Sequence, residues 1–309
     1  MRTVGIIGLG LIGGSMALDL RSRGFADTVL GVESNSVNAC AAEKIGLVDA
    51  VVPFDECIVR SDIIIVAIPV DSAIRTVKLI LDRFQEGADT PSGAFAVIRS
   101  RSDAEEGVSA PSWKDKIVID VCSTKEQIAK ATRYHPARKQ YVATHPMAGT
   151  EYSGPWAAQP GLFDGRACIF ADAEESSPKA VKTVGELYDT LNMRPIHMGS
   201  AAHDVHTAYV SHISHVTSFA LALTVLEKEK DEKHIFDLAS GGFSSTVRLA
   251  KSSADMWVPI LTENRDNVLR VMDTYLEKMK EFRDAVDRMD EDRIRTLIAE
   301  ANRIKKIIR

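Results

Sequence analysis

The chain has 309 residues, 45% of them hydrophobic, and its 38 basic and 43 acidic residues leave a formal charge of -5. That length and apolar content suffice for two cores of ordinary domain size. The near balance of charge excludes whole-surface attraction for nucleic acid or an anionic membrane, though a local positive pocket for a small anion is compatible with it. The opening MRTVGIIGLGLIGG enters an apolar run with no basic leader or small-residue cleavage site, so the expected setting is cytoplasmic. Cys40, Cys57, Cys122 and Cys168 have neither metal-ligand nor disulfide-framework spacing and read as reduced thiols.

In chain order, Thr3 to Ile7 is a short β-branched run and Leu11 to Leu20 a helix ending at the Gly24 break. A second strand is predicted at Thr28 to Val32, a helix at Ser36 to Lys44, and a third strand near Ala50 to Val52. Asp62 to Pro69 is apolar without alternation, the pattern of a strand covered on both faces, and Ile74 to Phe84 follows as a crossover helix. Residues 85–115 are turn-rich and polar around one apolar island, Ala94 to Ile98, and are expected to be a surface insertion. The pattern resumes with strand Lys116 to Val121, helix Lys125 to Thr132, strand Gln140 to Thr144, an apolar run at Gly165 to Phe170 and helix Ser177 to Leu191. Strand and helix alternating at this spacing predict an α/β fold, a doubly wound and mostly parallel sheet. Ala202 to Glu227 then reads as a long apolar helix that needs neighbours on several sides, a second subunit among them, and Arg265 to Arg309 as two helices separated near Asp290. The predicted division is a nucleotide-binding domain over 1–172, with the insertion, and an all-helical domain over 173–309.

Gly8, Gly10 and Gly13 form GxGxxG with Leu11 and Ile12 inside it. Glycine spacing alone is a weak signal, but here it follows a predicted strand, opens a predicted helix and precedes Glu33 at the end of the second strand. Gly8 permits the turn, Gly10 leaves room for a pyrophosphate, and Gly13 lets helix and strand approach. The helix start presents unpaired N–H groups to phosphates. Glu33 suits the ribose hydroxyls of NAD and repels the 2'-phosphate of NADP; FAD shares the opening turn and is the weaker alternative. Ile68 and Pro69 end the fourth strand on the same side and are expected to wall the crevice.

Four polar clusters supply candidate chemistry. Ser123 lies at a helix entrance after the fifth predicted strand, where a nicotinamide would sit. His145, followed by Pro146 and by polar Thr150 and Glu151, is a candidate general base, a structural cap being the alternative. His203-Asp204 and then His212 and His215 lie on the long helix. The last two share a face at a spacing of three, but no further ligand completes a metal site, so none is expected. Gly241-Gly242-Phe243 reads as a turn, followed by Arg248 and Trp257. Arg248 in apolar surroundings calls for an anionic partner, either a substrate carboxylate or an inter-helix salt bridge.

With GLGLIGGS, Glu33, VAIPV, Asp120-x-x-Ser123-x-Lys125, HPMAGTEYSG, SHxxH and GGFxxxxRLA in this order, the chain resembles the prephenate and arogenate dehydrogenases of tyrosine biosynthesis over nearly its whole length. The resemblance implies NAD-dependent oxidative decarboxylation of prephenate to 4-hydroxyphenylpyruvate by a homodimer joined through its helical domain. It implies His145 as the base on the ring hydroxyl, Ser123 hydrogen-bonded to that hydroxyl and to His145, and Arg248 on the ring carboxylate of an anionic cyclohexadienyl substrate. Thr150 and Glu151 then border the entrance, and His212, His215, Gly241 and Trp257 adjoin the substrate. Ser244, Ser245 and Val247 depart from the Arg-Asp and Thr common in the family. Arogenate dehydrogenase is the nearest alternative. A hydroxy acid dehydrogenase with a helical second domain is more distant, since the chain lacks the helix-borne lysine expected there, and a non-catalytic NAD-binding protein leaves Ser123, His145 and Arg248 without a joint purpose.

Overall fold

The computed structural model describes residues 1–89, 112–230 and 234–307. Strands β1 (Thr3–Ile7), β4 (Ile63–Val66) and β5 (Ile117–Asp120) are aliphatic on both faces because both faces are covered. Val4, Ile6, Ile65 and Ile119 enter one core layer, and Ile7, Ile64, Val66 and Val118 the other. With β2 (Thr28–Val32), β3 (Ala50–Val51), β6 (Tyr141–Pro146), β7 (Ala167–Ala171) and β8 (Arg194–Met198) they make one eight-stranded sheet in the order β3-β2-β1-β4-β5-β6-β7-β8. Every pairing is parallel except β6 with β7. The order reverses at β1 and β4, the switch point where ligands of such sheets bind at the carboxyl ends of the strands.

Helices α1 (Leu11–Ser22), α2 (Ser36–Lys44), α3 (Phe54–Arg60), α4 (Val70–Asp89), α5 (Glu126–Thr132) and α6 (Pro178–Thr190) accompany the sheet. Helix α3 and strand β8 have no counterpart in the sequence reading. Strand β8 is a largely exposed edge that carries Arg194, His197 and Pro195, the last tolerated on an edge because one side needs no ladder partner. Its pairing with β7 carries the sheet to Met198, so a boundary at 172/173 cuts through the sheet layer. Nor is 85–115 wholly an insertion. Helix α4 runs on to Asp89, and Trp113 lies so close to Gly87 that a Cβ there would sit 2.2 Å from the indole. Ala94 to Ile98 lies outside the described residues.

The helical part begins with α7 (Ser200–Thr207), a π-helical turn at Ala208–His212 and α8 (Ile213–Glu229), followed by α9 (Gly241–Thr246), α10 (Ala254–Glu263), α11 (Arg265–Asp287) and α12 (Glu291–Ala301). Asp290 caps α12 through Oδ1, 2.9 Å from Arg293 N, as expected. Gly241 is not in an open turn; it starts α9. The continuous helix Ser200–Glu229 is long and apolar enough by length and composition to cross a membrane, and only 11% of its most apolar window is buried. Its polar residues are nevertheless tied into the fold: Ser218 Oγ donates to Thr246 O at 3.0 Å, and Asp204 accepts from two backbone N–H groups of the sheet domain. Val210, Leu223 and Leu226 on this helix, with Leu276 and Met279 on α11, form exposed apolar surface. The four cysteines are unpaired, three of them buried.

Candidate active site

At the switch point Gly8 has φ +95°, and a Cβ there would meet Ala67 O at 2.4 Å and the Ile68 side chain at 2.7 Å. A Cβ on Gly13 would meet Gly8 O at 2.0 Å, so this glycine sets the helix–strand approach. Gly10 has open space where its Cβ would be, and α1 starts there without a side-chain cap, leaving the N–H groups of the turn containing Leu11 and Ile12 free for phosphate. Glu33 closes the loop: its carboxylate accepts from Leu9 N at 3.1 Å and Asn35 N at 3.0 Å. An acidic group fixed against the glycine turn matches a ribose diol and excludes a 2'-phosphate, so these residues fit NAD. Ile68 is half-buried and Pro69 exposed between β4 and α4, beside the same turn.

The loop after β5 is held by Asp120, whose carboxylate accepts from Tyr141 Oη at 2.6 Å and Cys122 N at 3.0 Å and pairs with the buried Lys125 ammonium. Ser123 is half-buried in this loop. Burial pushes the Cys122 thiol well above its ordinary pKa, with Asp120 adding to the shift, so the sulfur beside Ser123 is no thiolate.

His145 lies within β6 and is 9% exposed. Its Nδ1 is 2.8 Å from His203 Nε2, and His203 Nδ1 is 2.7 Å from Asp204 Oδ1. The two rings meet edge to face, centroids 5.1 Å apart. Burial, then His203, Lys125 and His212, press the His145 pKa well below the ordinary imidazole value. The His145 ring is thereby held in its neutral form. The expected Ser123–His145 hydrogen bond is not formed among the described residues; the Nδ1 of His145 is taken by His203.

The π-helical turn carries His212, buried and T-shaped to Trp257 with centroids 5.9 Å apart. His215 stacks on the same indole at 3.6 Å. Asn264 Nδ2 donates to Asp204 O at 2.7 Å and faces His212 Nδ1 at 3.2 Å, while His215 Nδ1 donates to Ser211 O at 3.1 Å. Burial holds His212 down to about 4, and burial also lowers His215, Arg248 adding to that effect. Trp257 is 6% exposed and its Nε1 has no partner. Among the described residues no cluster of histidine, cysteine or carboxylate could hold a metal.

Arg248 is not buried. Its side chain is 52% exposed and donates from Nη1 to Glu151 Oε2 at 3.2 Å. The salt bridge, not a desolvated cation, is its state here. Glu151 is held below the ordinary carboxylate pKa first by its own backbone N–H and then by Arg248. Thr150, one residue earlier, accepts from Tyr152 N at 3.3 Å through Oγ1. The loop that leaves His145 thus reaches Arg248; on the long helix, His212 acts on the charge of His145 and Arg248 on that of His215, and Gly241 is exposed at the start of α9. Asp120, Lys125, His203, Asp204 and Asn264 were not assigned to the site from sequence. Asp120 and Lys125 stand in the Asp120-x-x-Ser123-x-Lys125 motif and His203-Asp204 is one of the polar clusters of the sequence, whereas Asn264 carries no such signal.

A glycine turn fit for a pyrophosphate at the switch point, with a buried neutral imidazole at the carboxyl end of β6, is the arrangement of a nucleotide-dependent dehydrogenase with a helical second domain. The chain matches the family model described as "Prephenate dehydrogenase, nucleotide-binding domain" over residues 16–88 and 108–197, and "Prephenate dehydrogenase, dimerization domain" over 199–300. It belongs to the prephenate dehydrogenase family. It is 27% identical to the prephenate dehydrogenase of Bacillus subtilis, covering 94% of this chain and 72% of that one. It is 26% identical to the cyclohexadienyl dehydrogenase of Zymomonas mobilis, covering 94% and 90%. In structure it resembles the Aquifex aeolicus prephenate dehydrogenase solved with hydroxyphenyl propionate and NAD+, with TM-score 0.78 and 24% identity over 99% of this chain and 98% of that one.

Proposed function

We propose that the chain is an NAD-dependent dehydrogenase that oxidatively decarboxylates prephenate to 4-hydroxyphenylpyruvate, acting in the cytoplasm as a homodimer. The observation that carries this reading is the neutral, buried imidazole of His145 at the carboxyl edge of the sheet, linked by one loop to Arg248 of the helical part. NAD, when bound at the glycine turn, supplies the hydride acceptor. His145 takes the proton of the ring C4 hydroxyl as the C4–H bond is lost; the bond from C1 to its carboxylate then breaks, CO2 leaves, and the electron pair completes the aromatic ring. The same proton returns to the phenolic oxygen, so the step is balanced without another acid. Arg248 exchanges Glu151 for the substrate's ring carboxylate, and Ser123 supports the hydroxyl. Thr150, Glu151 and Gly241 border the entrance, and Trp257 orients His212 and His215 toward the substrate. The exposed apolar surface of the long helix and α11 is covered by the second subunit.

A second reading, arogenate in place of prephenate, draws on Glu151, whose carboxylate at the rim suits an ammonium group as well as it suits Arg248. NADH absorbance followed with NAD and either compound tests both. No turnover with either compound rejects the assignment, and the ratio of kcat/KM values selects the substrate.

A further inference from the structure

We propose that Asp204, acting through His203, is the positioning residue that holds His145 as its Nδ1–H tautomer and so leaves Nε2 as the only proton acceptor of that ring. The proposal rests on His145 serving as the base, as above. Its argument is a count of protons. Asp204 Oδ1 accepts from Lys125 N at 2.7 Å and Oδ2 from Glu126 N at 2.8 Å, and the carboxylate has no proton of its own to give. The 2.7 Å contact with His203 must therefore be donated by His203 Nδ1. A neutral imidazole carries one N–H, so His203 Nε2 holds a lone pair, and across 2.8 Å His145 Nδ1 must be the donor. The single proton of His145 is thereby placed on Nδ1. Both rings are kept neutral by burial, which is what makes the count unambiguous.

Asp204 also joins the two halves of the site. The N–H groups it accepts open α5, directly after the loop bearing Ser123, while its own carbonyl is gripped by Asn264 at the start of α11. One carboxylate thus sets the tautomer of the base and fixes the neighbouring loop against the helical part.

Asp204→Ala removes the acceptor. His203 Nδ1 then has no carboxylate to donate to, its proton is free to move to Nε2, and the proton of His145 is no longer confined to Nδ1. The expected result is a fall in kcat of at least about 100-fold, in line with the loss of about 10⁴ when a triad aspartate becomes asparagine, while KM for substrate and for NAD shifts less than about threefold. His203→Gln preserves the pattern, its amide oxygen accepting from His145 and its nitrogen donating to Asp204, and should stay within about tenfold of the parent; His203→Leu should not. In ¹⁵N-histidine spectra of the substrate-free protein, His145 should show a protonated Nδ1 and a bare Nε2, a preference lost in Asp204→Ala. A His145 protonated at Nε2 in the parent, or a His203→Gln no better than His203→Leu, overturns the proposal. Because the spectrum needs neither substrate nor a stable Asp204 variant, it decides the tautomer even if that variant misfolds or the parent turns over neither cyclohexadienyl compound.

Discussion

The two sides of the site differ in how firmly they hold their key residue. His145 sits within a strand, 9% exposed, with its ring fixed by a buried histidine and aspartate. Arg248 sits in a short helical turn, 52% exposed, holding one carboxylate at the protein surface. Under the proposed reaction the contrast follows the demands of the chemistry. Proton transfer is sensitive to tenths of an ångström and to competing water, so its acceptor belongs on the rigid element. Capture of a carboxylate requires the cation to change partners, which a solvated, loosely placed guanidinium does readily. Stability is concentrated on one side and exchange on the other.

Mutation should separate the two. His145→Asn removes the acceptor from the rigid side, and kcat should fall about 10²- to 10⁴-fold with little change in substrate KM, measured by NADH formation at saturating NAD. An unchanged kcat removes His145 from its role and with it the contrast. Arg248→Ala acts on the exchanging side: KM should rise about 10- to 100-fold, the scale of a charge-assisted hydrogen bond, with kcat nearly constant. If kcat falls and KM holds, the cation acts in the transition state and the two sides are not divided as described.

Most of the sheet was legible because doubly covered parallel strands must be continuous aliphatic runs, as in Ile63 to Val66. The same logic hid β8, where Pro195 and exposed partners on an edge leave no such run. The glycine turn and Glu33 were readable because phosphate binding is carried by backbone and local spacing. Contacts across the chain were not: His145 and His203 are 58 positions apart, and only the docking of α7 onto α5 brings them together. Arg248 has the anionic partner expected of it, in Glu151, but not the burial, for a related reason. Apolar neighbours in sequence imply burial only where they have something to pack on, and in the single chain much of the helical surface lies open.

The rigid side also predicts acid sensitivity. His145, His203 and His212 are buried with lowered pKa values, whereas in the unfolded chain each protonates near pH 6.5. As pH falls through 6.5 the unfolded state binds protons that the folded state refuses, so stability is complete above that value and declines below it. For His212 the decline ends at about 4, where the folded form also protonates. For His212 the loss should be about 1 kcal/mol per pH unit between 6.5 and about 4, with His145 and His203 acting in the same direction. Denaturant titrations between pH 7.5 and 5 should show the slope, and His145→Asn should make it shallower. A stability independent of pH across this range would mean these imidazoles are solvated.

The smallest effect belongs to the exchanging side. Glu151→Gln removes the carboxylate that occupies Arg248 in the substrate-free protein but leaves the cation in place. Exposed ion pairs contribute little to stability, so the melting temperature should hold. With its competitor gone, Arg248 should bind the substrate carboxylate slightly better, lowering prephenate KM by at most a few-fold with kcat unchanged. Should Glu151 instead receive an ammonium group, arogenate KM must rise in this variant while prephenate KM does not, so measuring both compounds distinguishes a displaced surface partner from a specificity contact. A large fall in kcat with either compound would show that the rim takes part in the chemical step, and the separation between a rigid base and an exchanging cation would not hold.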